Sequence, residues 1–227
     1  MGRSLKALTL KTLGATVLML AAALASAADY IAGKHYLVLD EPVRTGDASK
    51  IEVTEVFWYG CGHCYSFEPL LEKWSKTLPA DVVLVRSPAI WHPTMELHAR
   101  AYYTAKALNV LDPLHRALFD AMNVDQNKLG TEGDIKKIFT AHGVDGDAFS
   151  KTFNSFGVGS AVGQADARQR SYKITGTPEI VVEGKYRVSA RQAGSHEAML
   201  AVIDHLIAVE RTARANRHAS DSTAPAK

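Results

Sequence analysis

Cysteine is nearly absent from this 227-residue chain: there are two, Cys61 and Cys64. A framework of structural disulfides is thereby excluded, because a bond between residues three apart closes too short a loop to restrain much chain. Long apolar runs are equally scarce. One stretch, Leu13–Leu24, stands out, and it is too short to span a bilayer comfortably. Nor does either charge dominate, since 26 Lys+Arg face 24 Asp+Glu. Three of the bases (Arg3, Lys6, Lys11) and no acid lie in residues 1–27, so residues 28–227 hold 23 bases against 24 acids, a net charge of −1. That balance gives no support to binding of nucleic acid or an anionic membrane.

The basic start, the apolar stretch and Ala25-Ser26-Ala27 together have the layout of a secretory signal with cleavage after Ala27. The alternative, a membrane anchor, is disfavoured by length. No cysteine precedes Cys61, so lipid cannot be attached at the cut site. Export places the chain where disulfides persist. Residues 28–227 are long enough to build one or two cores without staples.

Period-two patterns predict strands over 35–39 and 51–59, the second ending just before the cysteines. Its odd positions (Ile51, Val53, Glu55, Phe57, Tyr59) form the more apolar face, where Glu55 is out of place unless used. Cys64, Phe67, Leu71, Trp74 and Leu78 recur at helical steps and predict a helix starting at Cys61. Residues 82–86 predict a third strand, apolar enough to be central. From Pro93 to Tyr172 the pattern is helical throughout. Asp112-Pro113 reads as an N-cap with a first-turn proline, Thr131 and Asp134 as another start, and Gly143 as a helix end. Gly157, Gly159 and Gly163 weaken any helix around them. Ile180–Glu183 and Tyr186–Val188 read as a hairpin around Gly184-Lys185. A last helix is expected over 195–211, and a disordered tail over 214–227. The order is β, β, α, β, a helical block, then β, β, α: an α/β fold with an inserted helical domain.

Cys61-Gly62-His63-Cys64 at a strand-to-helix junction reads as a redox dithiol. Cys61, at the helix N-terminus, is the expected nucleophile because the amides and dipole there favour a thiolate. Cys64, one turn on and facing inward, is the expected resolving thiol. His63 between them can stabilise the Cys61 anion and so favour the reduced form. A permanent staple and a zinc half-site are the alternatives for the pair, but no second C-x-x-C or paired His motif supplies zinc ligands. Haem attachment fails because Tyr65, not His, follows Cys64.

Phe57-Trp58-Tyr59-Gly60-Cys61-Gly62-His63-Cys64, with Gly176-Thr177-Pro178 downstream and a helical insert between strands, resembles the DsbA family of the thioredoxin superfamily. The resemblance covers roughly residues 35–212. It implies a discontinuous thioredoxin-like domain (28–90 and 173–213), a helical insertion (91–172), a periplasmic location and a monomeric state. It further implies a cis bond before Pro178, a substrate strand pairing with Thr177, and a client surface, apolar and shallow, near Trp58, Gly62, His63 and Thr177. Glu55, six residues before Cys61, matches the family's buried acid and would move protons for Cys64 if the chain folds back near Gly60; a surface glutamate paired with a lysine is the alternative. The implied partners are unfolded exported proteins with free cysteines and a DsbB-like inner-membrane quinone reductase, with no flavin or metal cofactor. Two departures, Gly62-His63 and Thr177, resemble protein disulfide isomerases. They leave a reduced-form isomerase or reductase open, beside a peptide-binding chaperone with an incidental dithiol.

Overall fold

The computed structural model describes residues 30–223; the expected signal segment and residues 224–227 lie outside them. A five-stranded sheet has the order β1-β5-β4-β2-β3, with β1 at Leu37–Val38, β2 at Ile51–Phe57, β3 at Val82–Pro88, β4 at Glu179–Val182 and β5 at Tyr186–Ser189. Only β2 and β3 run parallel, and α1 (Gly62–Ser75) connects them. The other pairings are antiparallel. The strand over 82–86 was expected to be central and is instead an edge. An apolar run specifies burial, not a neighbour on each side; here helices cover the faces of β3 while one edge stays unpaired.

Every residue of β2 is buried, so both faces of this strand are covered. Ile51 and Val53 pack with Phe67 and Leu71 of α1 and with Val202, Ile203 and Leu206 of the last helix. Val56 faces the other way, against Tyr172 and Val181. Parity therefore assigns the face correctly, but it does not decide burial, since Glu52 and Thr54 are buried too.

The insertion is helical throughout: α2 (Pro93–Ala107), α3 (Leu111–Asn123), α4 (Glu132–Ala141), α5 (Gly146–Phe153) and α6 (Phe156–Ser171). Thr131 caps α4, accepting from the Asp134 N–H, and Gly143 takes the left-handed conformation (φ 82°) after that helix. Asp112 is not a cap, because α3 begins one residue earlier with Val110 before it, and the acid sits in the first turn where the helix dipole favours it. The glycines of α6 do not break it. Each costs about 0.5–1 kcal/mol relative to alanine, and packing of Val158 and Val162 on Ala99 of α2 offsets that. Phe57, Tyr59 and Cys64 share one apolar cluster with α2 to α5, so the insertion is packed onto the dithiol end of the sheet.

The hairpin turns one residue earlier than expected, at Glu183-Gly184 (φ 52° and 60°), with Lys185 N–H donating to Val182 O at 2.9 Å. Gly184 is required there, since a Cβ would lie 1.9 Å from the Val43 carbonyl oxygen. A short helix, α7 (Ala190–Ala193), precedes α8 (His196–Thr223). α8 continues through ten residues of the expected tail, 214–223. Alanines at 213, 215 and 219 favour the helix. Arg211 also binds Asp81 in a two-pronged ion pair, and Arg214 donates to Ala48 O, Lys50 O and Glu183.

Candidate active site

β2 ends at Phe57, and a turn through Tyr59-Gly60 closes with Cys61 N–H donating to Trp58 O at 3.0 Å. Gly60 permits this turn, because a Cβ would stand 2.4 Å from the Trp58 ring. The fold-back brings Cys61 to the N-cap of α1. Its thiol is half-buried, unbonded to Cys64, and 3.2 Å from the Thr177 carbonyl oxygen. The Cys61 thiol is shifted down to about 5, chiefly by the hydrogen-bonding Cys64 thiol, then by the Thr177 side chain and the main-chain N–H groups of Cys64 and His63, against an opposing effect of burial. Cys61 makes no side-chain cap bond of full hydrogen-bond geometry, so the first-turn amides act on its sulfur chiefly as the positive end of the helix.

Cys64 is fully buried. Burial pushes its thiol well up, and the neighbouring Cys61 and Glu55 push it further. The two sulfurs therefore differ in charge at neutral pH: Cys61 is a thiolate, Cys64 a thiol.

Glu55 is fully buried beneath α1, on the face parity assigned to it. Its register partner on β3 is Arg86, whose Nε lies 3.3 Å from Glu55 Oε2. Arg86 also donates to Glu68 Oε1 at 2.5 Å. Glu68 Oε2 is 3.5 Å from His115 Nε2, and His115 Nδ1 shares a 2.9 Å hydrogen bond with the Tyr59 hydroxyl. Burial, with Glu68 nearby, raises the Glu55 carboxyl to about 8 despite Arg86. Burial alone would raise Glu68 too, but His115 and Arg86 together outweigh it and hold that carboxyl low. At pH 7 the cluster thus holds a protonated Glu55 and an ionised Glu68 paired with Arg86.

The Thr177-Pro178 bond is cis. Together with Gly176, Glu179 and His63 these residues line a cleft of about 590 Å³ that extends to Ala190, Arg191 and His196. Gly62 and His63 are exposed at the first turn of α1, and the His63 ring meets His196 edge-on at 6.4 Å. Trp58 is not brought into this cleft. Its indole donates to His98 Nδ1 at 2.9 Å and lies against His92 and His98, where it roofs the start of the insertion. The cleft beside the dithiol mixes charged and polar side chains with apolar ones such as Leu37, Pro178 and Ala190. Among the described residues no group of three or more His, Cys, Asp or Glu is arranged to hold a metal ion.

Glu68, Arg86, His115 and His196 escape a reading of the sequence. Only Glu68 carries a local signal: it is the one acid among the inward-facing positions of α1, four residues after Cys64. The other three reach the site through strand register and packing.

A family model for the DSBA-like thioredoxin domain matches residues 80–199. The thiol:disulfide interchange protein DsbA of Pseudomonas aeruginosa is 41% identical over 189 residues, covering 83% of this chain and 90% of its own. DsbA of Azotobacter vinelandii is also 41% identical, covering 83% and 88%. The crystal structure of Pseudomonas aeruginosa DsbA, 40% identical, superposes with a TM-score of 0.79 over 82% of this chain and 97% of that one. A dithiol at the head of α1, a cis-proline loop against it, a helical insertion packed on the dithiol end of the sheet, and 41% identity over 189 residues converge on one conclusion: the chain belongs to the DsbA-like thioredoxin family.

Proposed function

We propose that this protein is exported to the periplasm and there donates the Cys61–Cys64 disulfide to unfolded proteins that carry free cysteines. It is a thiol:disulfide oxidoreductase of the DsbA kind. The observation that carries the reading is the unlike placing of two sulfurs one helical turn apart, Cys61 half-open at the helix N-cap against the cis-proline loop and Cys64 fully buried, which accounts for their opposite acidity. A client thiolate attacks Cys61 Sγ, the accessible sulfur; the Cys61–Cys64 bond breaks, and Cys64 leaves with the electron pair and takes up a proton. Glu55, protonated at neutral pH and close enough to raise Cys64, is the source of that proton. A second client thiolate then attacks the client sulfur of the mixed disulfide and expels Cys61 as a thiolate. This anion is stabilised by the helix end, His63 and Thr177, so the reduced protein is favoured and the client leaves oxidised. Thr177 offers its main chain to the client as a short strand. A DsbB-like quinone reductase of the inner membrane takes the two electrons and restores the disulfide.

Gly62-His63 and Thr177 keep a reduced-form isomerase as the second reading. Equilibration with glutathione buffers separates the two, an oxidase requiring a potential above the ~−180 mV of protein disulfide isomerase and far above the ~−270 mV of thioredoxin. The thiolate itself is tested by pH. An unfolded cysteine titrates near ~8.5, above the folded value of about 5. Stabilisation of the reduced form is therefore full above the unfolded value and is lost as pH falls through about 5. Thiolate absorbance should titrate with that midpoint, and the stability advantage of the reduced over the oxidised protein should shrink across the same window. A midpoint above pH 7 would refute the assignment.

A further inference from the structure

We propose that the cleft beside the dithiol selects client segments bearing an acidic side chain, and that Arg191 is the residue that reads it. The proposal deepens the oxidase reading and rests on it, since it concerns the chain flanking the client cysteine once that cysteine has reached Cys61.

The cleft is lined by two arginines, Arg187 and Arg191, two histidines, His63 and His196, and one acid, Glu179. Glu179 is not free to meet an incoming cation. It is 4% exposed, accepts from the Thr175 hydroxyl at 3.0 Å, and lies 3.4 Å from Arg187 Nε. Arg187 is thereby neutralised, and its other contact is the Tyr172 carbonyl. Arg191 is different. It stands exposed on α7 and makes no ion pair or hydrogen bond among the described residues. The nearest acid in sequence beyond α7 is Glu197, which caps the start of α8 with Ser195 and does not line the cleft. The unspent charge of the cleft is positive, and either histidine adds to it when protonated.

A client held as an extended strand against Thr177 rises ~3.3 Å per residue, so side chains within a few positions of its cysteine run along this cleft toward α7. An acidic one meets Arg191; a basic one meets the same charge as its own. Contacts of this kind at a solvent-exposed rim change encounter rates by about two- to fivefold and fade with salt.

The test uses the oxidised full protein and three reduced peptides of one sequence around a single cysteine. The flanking residues are aspartate, leucine or lysine. Rates of disulfide exchange are read for the native protein and for Arg191→Glu, with dithiothreitol as an uncharged reference thiol. The aspartate-to-lysine rate ratio should fall at least fivefold in Arg191→Glu at low salt, the difference should collapse at high salt, and the dithiothreitol rate should hold. Taking the ratio within each protein removes any effect of the peptides on thiol acidity. An unchanged ratio, or a leucine peptide that is fastest with both proteins, overturns the proposal. Reaction with dithiothreitol but with none of the peptides would instead bring down the client-oxidase reading itself.

Discussion

The outer and inner sides of the dithiol are built to opposite ends. On the outer side, Cys61 sits half-open at a helix start, with amide dipoles, the Cys64 thiol and the Thr177 side chain all favouring its anion. On the inner side, Cys64 is sealed under the apolar residues of α2 to α5, and a nearby carboxyl opposes its charge. The outer groups come from the first turn of α1 and from the cis-proline loop late in the chain, and they border the open cleft. The inner groups come from β2, β3, α1 and, through His115, the insertion. Three residues along one helix are enough to change a sulfur from nucleophile to buried thiol, because the N-cap faces the free amides while the first inward position faces the core. Attack at Cys61 and departure of Cys64 follow from that difference.

Arg86 gives the sharpest way to break the inner side alone. It is the one cation between Glu55 and Glu68. Arg86→Leu leaves Glu68 in the core with only His115 beside it, and removing one member of such a buried pair costs about 3–5 kcal/mol. Both redox forms should lose this stability in chemical denaturation, while the Cys61 titration stays near its native midpoint. A loss below ~1 kcal/mol would mean that the buried pair is not formed as described.

Glu55→Gln acts on the same cluster with a smaller effect of opposite sign. The folded value of about 8 lies above the ordinary carboxyl value. The folded protein therefore holds a proton that the unfolded chain releases, and this carboxyl makes stability fall as pH rises from about 4 toward 8. Glutamine removes that dependence. The variant should match the native protein at acidic pH and become the more stable of the two through neutral and mildly alkaline pH, with slower protonation of Cys64 during exchange. If the native stability curve is flat across this window, Glu55 is ionised in the fold.

The outer side was legible in the sequence, and so were Cys64 and Glu55 on the inner side, but not the groups that surround those two. Cys61, His63, Cys64 and the Thr177-Pro178 pair lie in short motifs, and the inward face of α1 repeats at regular steps. The Glu55–Arg86 contact depends on which residues of two strands stand opposite each other, and that register is not written in either strand alone. The same gap made β3 look central. The contacts of Trp58 with His92 and His98 were not legible either, because the Tyr59-Gly60 turn that sets the indole against α2 joins residues far apart in sequence. The helix beyond Arg211 was missed because its anchors, Asp81 and Glu183, are far away in sequence.

The smallest effect is expected in the insertion, at Thr131, and it asks whether the inner side responds to helices that touch it only through packing. The Thr131 hydroxyl oxygen accepts from the Asp134 N–H at 3.1 Å. Ile135 and Phe139 of the same helix belong to the apolar cluster that contains Cys64. Thr131→Ala removes the cap at a cost of about 1 kcal/mol without changing a charge, a volume in the core or a contact of either sulfur. Denaturation midpoints should fall by that amount equally in the oxidised and reduced forms, because a cap distant from both thiols has no means of telling those forms apart. Equal loss would confine control of the couple to groups that contact or electrostatically face the sulfurs. An unequal loss would show that the packing of α4 against the cluster discriminates between the disulfide and the dithiol, and the insertion would then belong to the redox machinery.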